Sequence, residues 1–230
     1  MRKMNIYGWL FMISPILGYM VLQSFLRSLL GGFAPFYAMD LATILTLPVI
    51  IIGYKKSGCK KPSWNEKSTR ENIKSFLFIF GISLGIALST VALLSDFDVA
   101  AGGRVSLLTI LATVIAGPVN EELIFRGIVP ERSQNLITRP TAVVVSSLIF
   151  GVAHRGGEKM VIAALAGMIF CILIFCCESL YAGIAAHMLV NAFLMTDRIY
   201  QLPFMVYIGG TIFLILLVVG LLYDRKQKMC

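Results

Sequence analysis

Two adjacent carboxylates, Glu121 and Glu122, lie in Ala116-Gly-Pro-Val-Asn-Glu-Glu-Leu-Ile-Phe-Arg-Gly127, inside a long apolar stretch where side chains should meet lipid or packed helices. Ionisable groups at membrane depth cost several kcal/mol each, so they mark a pathway or a reaction. The only two histidines, His154 and His187, also fall late in apolar stretches. Carboxylates and imidazoles together can perform general acid–base catalysis, relay protons across a membrane, or ligate a metal. Their local spacing sorts them. On a helix Glu122 and Arg126 are four apart and share a face, so the guanidinium can offset and hold that carboxylate. Glu121 points about 100° away, free of the clamp. His154 follows Phe150 by one helical turn, and His187 precedes Asn191 by one turn, so an imidazole and an amide project from one face.

The elements that position these groups follow from composition. The 230 residues are 58% hydrophobic and only 14% charged, with a mean hydropathy of +0.85, which describes an all-α polytopic membrane protein rather than a soluble one. Apolar runs near residues 6–26, 35–54, 75–94, 105–125, 141–154, 160–177, 179–196 and 203–223 predict eight transmembrane helices in a single domain over 1–230. The fifth is short on its own. No barrel-type alternation is present, so helices must satisfy the backbone.

A net charge of +8 could suggest nucleic acid, yet the basic residues follow membrane orientation instead. With the N-terminus inside, fifteen lie on the inner side: Arg2, Lys3, seven from Lys55 to Lys74, Arg126, Arg132, Arg139, Arg225, Lys226 and Lys228. Five lie outside: Arg27, Arg104, Arg155, Lys159 and Arg198. The positive-inside rule then places both termini in the cytoplasm, and the Lys55 to Lys74 loop reads as a solvated face near anionic lipid. The first stretch exceeds a signal-peptide core and lacks an Ala-x-Ala site, so it counts as the first span. The five cysteines show no Cys-x-x-Cys spacing and read as packing residues, and Cys230, being last, cannot be the modified cysteine of a prenylation signal. Met12 and Met20 read as lipid-facing or core filling.

One site requires one depth. At 1.5 Å rise per residue, a fourth helix running on to Arg132 puts Glu121 roughly 16 Å from its inner end, His154 roughly 20 Å from Pro140, and His187 and Asn191 roughly 12 and 18 Å from Glu178. A helix stopping at Phe125 would separate Glu121 from His154. The longer helix is therefore required, with Arg126 and Arg132 facing a wet cavity or snorkelling to the interface.

The ordered set Glu-Glu-x-x-x-Arg (Glu121, Glu122, Arg126), Phe-x-x-x-His (Phe150, His154) and His-x-x-x-Asn (His187, Asn191), with Gly127 after the arginine, resembles the CAAX protease and bacteriocin-processing (Abi) family of intramembrane endopeptidases over about 105–196. The resemblance implies eight helices and proteolysis in a cell-membrane cavity open to the cytoplasm, with no cofactor. By similarity, Glu121 with His154 would activate water, while His187 and Asn191 would donate hydrogen bonds to the oxyanion. Glu122, Arg126 and Phe150 would position them. A carboxylate in a poorly hydrated cavity is a stronger base than in water, which suits peptide hydrolysis.

Expected partners are membrane lipids and a peptide or lipidated-peptide substrate: a prenylated C-terminus, a bacteriocin leader or a pheromone precursor. Glu121, His154 and His187 could instead hold Zn²⁺ as a His₂Glu set, although no His-Glu-x-x-His pair is present. Two other classes of function fit intramembrane Glu and His. One is a proton-coupled transporter, for which inverted repeats are not visible. The other is a non-catalytic immunity protein or a partner of a membrane sensor kinase.

Overall fold

The computed structural model describes residues 6–59, 69–93, 105–133, 136–154, 157–177 and 179–200, and every regular element among them is helical. Seven helices follow one another: α1 (Ile6–Gly31), α2 (Ala38–Lys56), α3 (Thr69–Leu93), α4 (Leu107–Ser133), α5 (Arg139–Ala153), α6 (Gly157–Cys177) and α7 (Leu180–Tyr200). Four contain a segment long and apolar enough to cross a membrane, at Tyr7–Gly31, Ala38–Lys56, Leu107–Ser133 and Gly157–Cys177. Leu77–Val91, Thr141–Ala153 and Leu180–Thr196 are shorter apolar helices. The eighth expected span, 203–223, lies outside the described residues. Large apolar side chains such as Phe11, Val21, Phe25, Leu29, Ile52 and Leu165 are exposed on the helices, a surface that fits lipid and would be an aggregation liability in water.

The fourth helix runs through the charged motif to Ser133, as co-location of the four candidate residues demands. It starts where the Ser106 hydroxyl accepts from the Thr109 amide at 3.1 Å, and Thr109 in turn donates to Asp40 at the head of α2, 2.7 Å away. Two segments of α4, Leu111–Ala116 and Leu123–Ile128, are wound as π-helix. A proline follows each by two positions, Pro118 and Pro130. A proline ring collides with the carbonyl four residues back and offers no N–H; the wider π turn makes room without breaking the helix. Beyond the second segment, Arg132 donates to the Phe11 carbonyl (3.2 Å) and the Ser14 hydroxyl (2.7 Å), tying the C-terminal end of α4 to the N-terminal part of α1.

The core lies where α1, α2, α4 and α5 meet, around Met12, Ile16, Tyr54, Ile124, Phe125 and Phe150. A second cluster joins α3, α6 and α7 around Ile79, Phe170, Leu173 and Ala186. Met12 is core filling, as expected, while Met20 is exposed on the rim of the cavity described below. Cys171 and Cys177 are buried and take part in no disulfide among the described residues. Between lipid-embedded helices the driving force is close packing rather than water exclusion, so small residues mark the tightest crossings. Gly151 of α5 is such a point: a Cβ there would collide with the Met160 carbonyl and lie 2.8 Å from Cβ of Ala164 on α6. Gly151→Ala is expected to cost about 1–3 kcal/mol by overpacking, read as a lower thermal unfolding temperature in detergent, whereas Gly53→Ala, with open space around its Cβ position, should not show that loss.

Candidate active site

Glu122 is fully buried and its Oε1 is shared by two donors: Arg126 Nη1 at 3.1 Å on the same helix and His187 Nδ1 at 3.0 Å on α7. The arginine side chain is buried too, with its Cζ 4.3 Å from the centre of the Phe150 ring, and its Nε and Nη2 have no hydrogen-bond acceptor among the described residues. The sequence expectation that Arg126 faces a wet cavity or snorkels is therefore corrected. The charge of Glu122 holds it in a dry pair, and the aromatic face supplies the rest of its environment. Arg132 does reach the exposed end of the helix.

Phe150 is the hub of this cluster. Its ring touches the His154 ring at 4.5 Å between centroids, the His187 ring at 5.7 Å and the Phe125 ring at 5.2 Å. His187 is also stacked on Phe170 at 4.9 Å, which leaves its Nε2 edge free to face Glu121, 3.7 Å away. Glu121 is 23% exposed where Glu122 is 0%, so the two neighbours divide as their helical angles predict. One carboxylate meets the cavity and the other meets the arginine.

The hydrogen bonds fix the histidine tautomers. A backbone carbonyl only accepts, so the 2.9 Å contact from His154 Nδ1 to the Phe150 carbonyl is an Nδ1–H donation, leaving Nε2 as an acceptor when the ring is neutral. Glu122, offset by Arg126, likewise accepts from Nδ1–H of His187. Nε2 of His187 then donates only when the ring is an imidazolium. In that form Glu121, Glu122, Arg126 and His187 carry no net charge together.

Two adjoining lobes of one cavity, about 390 and 220 Å³, are lined by this set. Glu121 and His154 border both, and the smaller also meets His187 and Asn191, so all four residues expected to do chemistry share one cavity. Glu121 faces Nε2 of His187 at 3.7 Å, and it borders the same space as His154. The floor is made by buried Ile16, Phe125 and Phe150, and the exposed rim by Ser24, Arg27, Ala153 and His154.

Much of the wall comes from helices with no recognisable motif. Tyr19, Gln23, Met39, Asp40 and Thr43 of α1 and α2 line the smaller lobe, with Gln23 donating to the Tyr19 hydroxyl (2.9 Å) and to Thr43 (3.1 Å). Buried Asn120, beside Glu121, donates to the Thr43 carbonyl (2.9 Å) and to the Thr46 hydroxyl (3.0 Å), anchoring α4 to α2. Their signal in the sequence is faint: single polar side chains, Gln23, Asp40 and Asn120, in otherwise apolar runs.

Asn191 has a partner the sequence did not announce. Its amide donates to the Thr113 carbonyl at 2.9 Å. In the first π segment the Gly117 amide bonds to the Ala112 carbonyl, five residues back, so the next bond in that register would run from residue 118 to Thr113. Residue 118 is proline and has no N–H. Asn191 supplies the missing donor and keeps one further amide hydrogen. Asn191→Ala is expected to cost about 0.5–1.5 kcal/mol through loss of that hydrogen bond. In a Pro118→Ala background the restored N–H should remove most of that cost, a coupling read from a double-mutant cycle of thermal unfolding.

Orientation brings two expectations into conflict. The rim lies at the end of the bundle holding the C-terminal half of α1, the head of α2 and the end of α5, opposite Ile6 and Lys56. An N-terminus in the cytoplasm and a cavity open to the cytoplasm cannot both hold.

Residues 103–193 match the family model described as Type II CAAX prenyl endopeptidase Rce1-like. Over 88 residues, 38% of the chain, the sequence is 30% identical to a Bacillus subtilis (strain 168) protein described as "Putative membrane peptidase YdiL", and the match covers 36% of that protein. The chain thus matches little more than a third of the length of this curated relative. No solved structure matches it. The family segment takes in α4 to α6 and most of α7, and leaves out the α1 and α2 wall.

Proposed function

We propose that the protein is an intramembrane endopeptidase of the cell membrane, of the CAAX protease and bacteriocin-processing family, that hydrolyses a peptide bond in a membrane-associated peptide; the match of residues 103–193 to the Rce1-like model and the similarity to a membrane peptidase support this reading. Its substrate would be a prenylated C-terminus, a bacteriocin leader or a pheromone precursor. The observation that carries this reading is the shared cavity: Glu121, His154, His187 and Asn191 face one space, and Glu121 is the member of the carboxylate pair that water reaches.

Water held between Glu121 and Nε2 of His154 loses a proton to the carboxylate as its oxygen attacks the peptide carbonyl carbon. The electron pair of the carbonyl moves onto oxygen, where the imidazolium Nε2–H of His187 and the spare N–H of Asn191 donate to it. Collapse of the tetrahedral species breaks the C–N bond, and the proton held by Glu121 passes to the leaving amine. Glu122 keeps the His187 ring turned to the cavity, and Arg126 offsets the charge of Glu122 and holds its carboxylate in place.

The amide of Asn191 beside His187 in the cavity suits oxyanion donation better than ligation, which supports a metal-free mechanism. In the zinc alternative, Glu121 and the Nε2 atoms of His154 and His187 would be the ligands, and the ion would make bound water a nucleophile at neutral pH.

With purified protein and a library of candidate peptides, Glu121→Gln and His187→Ala should each lower cleavage by roughly 10²–10⁴-fold, and stringent chelation should leave the wild-type rate unchanged. Wild-type rates in both variants would refute the catalytic assignment. Loss on chelation that added Zn²⁺ restores would replace it with the metal mechanism.

A further inference from the structure

We propose that the cavity opens on the extracytoplasmic side of the membrane, so that the peptide reaching Glu121 is one presented from outside, either exported or held in the outer leaflet. The cleavage part of this statement rests on the proposed function, whereas the sidedness rests on the helix directions and the charges alone.

The helices alternate in direction, and interhelix contacts fix which ends lie together. At one end, Arg132 bonds to α1 at Phe11 and Ser14, and Gly127 lies against Tyr54 of α2 and Leu180 of α7. At the other, Thr109 at the start of α4 bonds to Asp40 at the start of α2, and Asn191 bonds to Thr113. The second end contains the cavity. Its exposed rim, Ser24, Arg27, Ala153 and His154, lies beyond the buried floor of Ile16, Phe125 and Phe150 as one moves away from the N-terminus of α1.

Basic residues are distributed unequally between these ends. By sequence order, the helix ends and connections that belong to the side away from the cavity carry Arg2, Lys3, the seven from Lys55 to Lys74, Arg132 and Arg139, eleven in all. By the same order, those that belong to the cavity side carry Arg27, Arg104, Arg155, Lys159 and Arg198, five in all. Seven of the eleven fall in one short connection between α2 and α3 and its flanking helix ends, where the positive-inside rule has most force. This bias needs neither the last thirty residues nor an eighth span. It keeps the cytoplasmic N-terminus and discards the cytoplasmic cavity.

Single exposed cysteines test this with a membrane-impermeant thiol reagent on intact cells. Ser24→Cys reports the rim and Lys56→Cys the opposite end, each scored as labelling above the parent chain with its native cysteines in place. Labelling of Ser24→Cys in intact cells, with Lys56→Cys labelled only after permeabilisation, is the expected result. The reverse pattern overturns the proposal. If either substitution disturbs insertion, a short epitope placed between Gly32 and Phe33, on the connection at the cavity end, should be bound by antibody on intact cells; binding only after permeabilisation likewise overturns it. Neither readout needs activity, so repeating the labelling in Glu121→Gln separates a wrong sidedness from a wrong catalytic assignment.

Discussion

The Glu122 carboxylate is the interaction on which the site depends. It draws together a guanidinium from its own helix and an imidazole from α7, and the arginine in turn lies on a ring from α5. Taking one partner from such a buried set leaves an uncompensated charge, which costs about 3–5 kcal/mol. Desolvation makes the pair a poor source of net stability but a strict constraint on geometry. Only an arrangement that brings α4, α5 and α7 to these distances avoids the penalty. The packing is shaped to allow it: α6 passes so close that a Cβ at Gly167 would collide with Arg126. What the carboxylate specifies is the orientation of His187, Nδ1 inward and Nε2 toward Glu121.

The backbone of α4 serves the same end. A proline within a helix normally kinks it or ends it, and α4 holds Pro118 and Pro130 on either side of the carboxylates without ending. The π turns absorb the steric conflict, and the first leaves the Thr113 carbonyl to be satisfied from outside the helix. Asn191 does this from α7, one turn beyond His187. Both residues of that pair are therefore bound to α4, one through a side chain and one through the main chain. The spacing His-x-x-x-Asn is a two-point attachment of α7 as well as a pair of donors facing the cavity.

The parts of this arrangement legible in the sequence are those governed by helical periodicity. The Glu122–Arg126 pairing, the contrary direction of Glu121, the Phe150–His154 contact and the length of α4 follow from spacing, depth and the need for one site. The parts that were not legible depend on contacts between distant positions. Asn120 with Thr43, Thr109 with Asp40, and Asn191 with Thr113 join residues about seventy to eighty apart in sequence, and nothing local distinguishes Thr43 or Thr113 from other threonines in apolar helices. The dry environment of Arg126 was hidden for the same reason, since Phe150 reaches it from another helix. Pro118 and Pro130 were visible, but a proline alone does not say whether a helix will break or widen.

The shortness of α5 explains how a site so deep can be wet. Fifteen residues, Arg139–Ala153, rise about 22 Å, well short of the ~30 Å of a bilayer's hydrocarbon core. Read as a membrane span, α5 is deficient; read as a cavity wall, it has the required length. Ending early, it places His154 at its C-cap, exposed and level with a rim rather than packed under lipid. Chain that leaves a helix at that depth must line a cavity or be covered by protein, because lipid cannot satisfy its amides and carbonyls. Polar side chains from α1 and α2 stand opposite: Gln23, Asp40 and Thr43. A full-length α5 would carry its end past the rim and close the space above Glu121, leaving a buried charge cluster without access to the water that hydrolysis consumes.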